Sequence, residues 1–160
     1  MRSNKWLIAA GLLDVAAALL HVAIIFGGPD WYRFFGAGEA MAQAAQSGSL
    51  RPALITIAIA SVLATWGAYA FSGAGLILRV PWLRTGLVAI SAIYLARGLV
   101  VMPILLLRPE LTDPFLLWSS AIVLVFGLAH AIGTWSAWNG LRPAAGSQRL
   151  RSPREEGSAV

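Results

Sequence analysis

The sequence predicts an all-α integral membrane protein: a four-transmembrane-helix bundle with a short amphipathic helix in its first outer loop. Three observations carry this. Hydrophobic residues make up 58% of the 160-residue chain and charged residues 12%, against about a quarter charged in soluble domains. Four apolar stretches are each about 20 residues long, enough to cross a bilayer core of about 30 Å at 1.5 Å per residue. The arginines gather in short segments beside those stretches, as the positive-inside rule requires, and form no extended basic face for nucleic acid.

The first span is 6–26, nearly continuous apolar sequence interrupted by Asp14 and His21. The two are seven residues apart, which puts them on one helical face. The run exceeds the 7–15 residues or so of a secretory h-region, so it reads as a retained span rather than a cleaved leader. Gly27, Gly28 and Pro29 are expected to end it. Residues 30–48 are too polar to span, but they carry a helical pattern. Trp31, Phe34, Phe35, Met41, Ala42 and Ala45 share one face; Glu39, Gln43 and Gln46 share the other. Asp30 is the expected N-cap of this amphipathic helix and Gly48 its stop.

The second span is 52–71, after which Ser72–Gly75 loosens the helix and 76–80 either extends it or lies at the interface. The third is 83–107, with Pro103 near its far end, where a kink is tolerable. A polar turn, 108–113, leads to Asp113-Pro114, an N-cap followed by a first-turn proline. The fourth span is 115–138, and residues 1–140 form one transmembrane domain. Residues 141–160, rich in Ser, Pro and Arg, read as a disordered cytoplasmic tail.

Charge sets the expected topology. With the N-terminus inside, Arg2, Lys5, Arg79, Arg84, Arg142, Arg149, Arg151 and Arg154 are cytoplasmic. Arg33, Arg51 and Arg108 fall outside, offset by Asp30, Glu39, Glu110 and Asp113. Both termini are therefore expected in the cytoplasm. Eleven arginines to one lysine, with abundant alanine and glycine, suit a GC-rich bacterium and hence an inner membrane.

Ionisable groups within spans cost at least about 2.5–3.5 kcal/mol each at the helix centre, so each needs a partner or a polar cavity. There are four: Asp14, His21, Arg97 and His130. Asp14 and Arg97 lie at similar depth with opposite charge, which predicts an ion pair between the first and third spans. His21 and His130 are separated by about 13 Å along the bundle, which argues against bis-histidine haem ligation. His130 is expected to hydrogen-bond a neighbouring backbone, Tyr94 or Thr134. His21 is expected to meet Glu39 if the outer helix folds over the bundle, opening a polar path through Asp14 to Arg97. No HExxH, phosphate loop or nucleophile elbow appears, and there are no cysteines, so no metal or cofactor is expected.

Trp66 and Tyr69 read as core fillers, and Gly127, Ala129, Ala131, Gly133 and Ala137 as small residues for close packing, within the bundle or in a homo-oligomer. Four spans with an acid in the first resemble the small multidrug transporters, Asp14 standing where those proteins carry a glutamate. The long outer loop and fixed charge bias depart from them. The layout is also similar to DoxX-type and other bacterial inner-membrane families, in topology alone and with no shared motif. The expected function is that of a non-enzymatic binding or structural membrane protein whose partner is the lipid bilayer. A small proton-coupled transporter, or an enzyme acting on a lipid or quinone, stands as the alternative.

Overall fold

The apolar runs become four long helices in the computed structural model, which describes residues 4–141. Every regular element among the described residues is helical. Helix α1, Lys5–Phe34, starts on Asn4, whose Oδ1 accepts from the Trp6 and Leu7 amides. This satisfies two of the four N–H groups that a helix start leaves without partners. The Asn4 amide also donates to the Gly133 carbonyl (2.8 Å), fastening the start of the chain to the end of its last long helix.

The break expected at the two glycines is present, but it does not end the helix. Gly28 adopts φ 68°, open to glycine without a Cβ clash, and the chain re-enters helix at once from Pro29 to Phe34. The amphipathic segment is therefore two pieces. The first is this last part of α1; after a turn through Gly36 and Gly38, both at positive φ, comes α2, Glu39–Gln46. Asp30 does not act as an N-cap, because helical geometry already begins before it; it pairs with Arg33. Gly48 does follow the helix end at positive φ, as its stop. Ile24, buried Tyr32 and Ala42 pack together, so α2 sits against the C-terminal end of α1.

Helix α3, Arg51–Gly73, is followed by non-helical chain through 80, so 76–80 does not prolong it. Ser72 holds that connection: its hydroxyl donates to the Leu78 carbonyl and accepts from the Val80 amide, each at 3.0 Å. The third span divides into α4, Leu83–Leu99, and α5, Val101–Leu107. The division falls where Pro103 lacks an amide hydrogen and its ring crowds the carbonyl of Leu99. After a 3₁₀ turn at Pro109–Leu111, Asp113 caps α6, Pro114–Ser136, by accepting from the Leu116 amide at 2.6 Å. Leu141, assigned above to the tail, is buried with Leu7, Ala74, Leu83 and Leu87. The rest of the expected tail, 142–160, lies outside the described residues.

The bundle is built of two tight pairs. Helix α1 packs along α3, and α4 packs along α6. Contact between α1 and α6 joins the pairs, while α3 and α4 meet over a thinner seam. Glycines set the close approaches: a Cβ on Gly127 would lie 2.9 Å from the Leu95 backbone nitrogen, and one on Gly133 3.0 Å from that of Leu7. Gly127 and Gly133 thus serve contacts within the bundle. Only 22–28% of each apolar window is buried inside the protein, so most of its apolar surface faces outward. Such a perimeter is compatible with a membrane helix bundle.

Candidate functional site: a buried Asp14–Tyr94–His130 network

Asp14 sits on the inward face of α1, where Gly67 of α3 packs against its Cβ. It is 0% exposed, as is His130 of α6, and Tyr94 of α4 is 6% exposed. The two oxygens of the carboxylate are divided between the two partners. Tyr94 donates its hydroxyl to Oδ1 at 2.7 Å, and His130 Nε2 lies 2.9 Å from Oδ2. An ionised carboxylate only accepts, so the contact requires the proton on His130 Nε2. The Tyr94 and His130 rings lie 5.5 Å apart, and Trp66 meets Tyr94 edge to face at 4.8 Å. One acid thereby ties three helices.

His130 Nδ1 and the hydroxyl of Thr134, one turn further along α6, have no hydrogen-bond partner among the described residues.

The expected Asp14–Arg97 ion pair is not formed. Arg97 lies one turn beyond Tyr94 on α4 and donates from Nη1 to Ser120 Oγ at 3.3 Å, while the Asp14 oxygens are taken by Tyr94 and His130. A similar depth is not enough; Arg97 is exposed, and its guanidinium is directed to Ser120 of α6 instead. His130 does meet Tyr94, as a ring neighbour, but its hydrogen bond goes to Asp14, a pairing the reading of the sequence missed. Helix arithmetic allowed the pairing without selecting it. Asp14 stands nine residues from the start of α1, and His130 six from the end of the antiparallel α6, so their depths differ by only about 4–5 Å.

His21 and Glu39 are not brought together. Half-buried His21 points Nδ1 at the carbonyl of Ala17 in its own helix, at 2.8 Å. Glu39 takes a forked contact from Arg33, Nε to Oε2 at 2.9 Å and Nη2 to Oε1 at 3.0 Å. Arg33 also reaches Asp30 at 3.1 Å. The Arg33 guanidinium holds the Glu39 carboxyl below its usual range, chiefly through that hydrogen bond. The polar path proposed from His21 and Glu39 through Asp14 to Arg97 therefore does not exist, because each end is satisfied locally.

No group of three or more His, Asp or Glu side chains able to hold a metal ion occurs among the described residues. Tyr69, read as a core filler, is half-buried and donates to the Pro81 carbonyl at 3.3 Å. Trp66 is half-buried too, and lines a groove of about 400 Å³ between α3 and α4 together with Tyr94 and Arg97. Comparison with protein-family models, curated proteins and solved structures gives no match.

Proposed function

We propose that this chain is a non-enzymatic multi-pass protein of a bacterial inner membrane, a binding or structural bundle whose helices are locked by Asp14, Tyr94 and His130. The observation that carries this reading is the complete enclosure of Asp14, with each carboxylate oxygen given one partner from a different helix. A proton-coupled carrier needs its acid to reach water in at least one state, and a catalytic acid needs to reach substrate. Full burial favours a lock over either. Truncating one partner of such a buried set typically costs about 3–5 kcal/mol, since it leaves the others unpaired in a medium that solvates them poorly.

Both termini are assigned to the cytoplasm on the arginine distribution. The test is thermal unfolding of the purified protein in nanodiscs. Asp14→Asn and His130→Ala should each lower the melting temperature, and the double variant should lose less than the sum of the two. Additive losses, or none, would reject the lock.

A further inference from the structure

Arg97 is the one lysine or arginine near mid-span among the described residues, and it is exposed. Its hydrogen bond to buried Ser120 leaves most of the guanidinium's five donors unused. The acid at comparable depth, Asp14, pairs instead with Tyr94 and His130. In a bilayer, an exposed cation at this depth is expensive unless an anion meets it.

Arg97 edges the groove between α3 and α4, where the two helix pairs meet over their thinner seam. The remaining wall is apolar: Ala58, Val62 and Trp66 follow one another at four-residue spacing along α3, opposite Ile93 and Tyr94. From Ala58 to Trp66 α3 rises eight steps, about 12 Å, so the apolar wall runs along the helix. Its volume, about 400 Å³, is within the range of small-molecule sites.

We propose that this groove binds a long-chain fatty acid, its carboxylate on Arg97 and its chain along α3. The charge argues for an anion, the apolar wall for a tail, and the guanidinium fork for a planar carboxylate. Depth selects between anionic amphiphiles. A carboxylic acid can shed its charge by protonation and reach mid-span neutral, which a phosphodiester headgroup cannot. This rests on the reading of the chain as a bilayer bundle that binds rather than reacts.

The experiment is quenching of tryptophan fluorescence by a brominated fatty acid, with the full chain in nanodiscs. Saturable quenching is expected, and Trp66→Phe should remove the quenched component. Arg97→Gln should weaken binding about tenfold or more, and Arg97→Lys should recover part of it. Ala58→Phe, which narrows the groove without touching the charge, should weaken it too.

The proposal is overturned if Arg97→Gln binds as tightly as the parent, or if the methyl ester binds as tightly as the acid. Equal quenching by a brominated phospholipid at the same mole fraction would also overturn it, by reducing the effect to bulk lipid contact. Disulfide capture of Val62→Cys between two copies would assign the groove to a second chain instead. Failure of the parent reading looks different: the protein would be released from membranes by alkaline carbonate. A carbonate-resistant protein with an undiminished melting temperature and no Arg97 dependence rejects the fatty-acid site alone.

Discussion

Asp14 shows how far one residue's neighbours decide its meaning. In a span its carboxylate must be matched, and two donors from α4 and α6 do this at 2.7 and 2.9 Å. Removing the Tyr94 hydroxyl should cost about 1–3 kcal/mol, because the ring stays and one acceptor is left short. Thermal unfolding of Tyr94→Phe, alone and with His130→Ala, measures this, and coupling between the two is expected through the shared acid. Arg97→Gln should instead add simply to Asp14→Asn, since the two side chains do not share a partner. That separates the observed network from the ion pair expected on charge and depth. The residue types were legible in the sequence; the partner was not. Four ionisable groups at roughly known depths leave several pairings open, and only the rotation of each helix about its axis selects among them.

At the scale of elements, close approach and local charge do the positioning. A methyl group on Gly127 would meet the backbone of Leu95, which cannot swing aside as a side-chain end can. Gly127→Ala should therefore cost about 1–3 kcal/mol of stability, read as a lowered melting temperature. Gly140→Ala is the matched control, its new methyl 3.5 Å from the nearest atom.

Helix α2 is held to the end of α1 by the Arg33–Glu39 fork as well as by Tyr32 and Ala42. Glu39 is held below its ordinary value of 4.5, so the contact is present at neutral pH and is lost as pH falls through the lowered value. Amide exchange in Glu39–Gln46, corrected for intrinsic rates, should rise across that acid range, and Glu39→Gln should abolish the step. Helix ends were well signalled where capping is local, as at Asp113-Pro114. They were less so at Gly28, where a glycine bends the chain but the following proline suits a new first turn.

The whole molecule is two helix pairs joined along α1 and α6, largely apolar around its perimeter, with the Asp14–His130 pair buried inside. With the termini inside, Ser49→Cys should react with an impermeant maleimide added to intact cells, and Asn139→Cys only after permeabilisation. The reverse pattern would invert the proposed topology. Helices α3 and α4 approach closely at one end, where Gly86 packs on Tyr69 and Gly73 on Leu87, and the groove opens further along, between Ala58–Trp66 and Ile93–Arg97.

The sequence by itself determined the number of long helices, their approximate limits and the cost of every charge placed within them. These follow from composition and from the 1.5 Å rise of a helix, which are properties of single segments. Tertiary structure alone decided which donors reach Asp14, that His21 and Glu39 stay apart, that Leu141 joins the core, and that Arg97 borders a groove. The reason is geometric. A helix fixes which of its own residues share a face, but the direction that face points is set only when other helices pack against it.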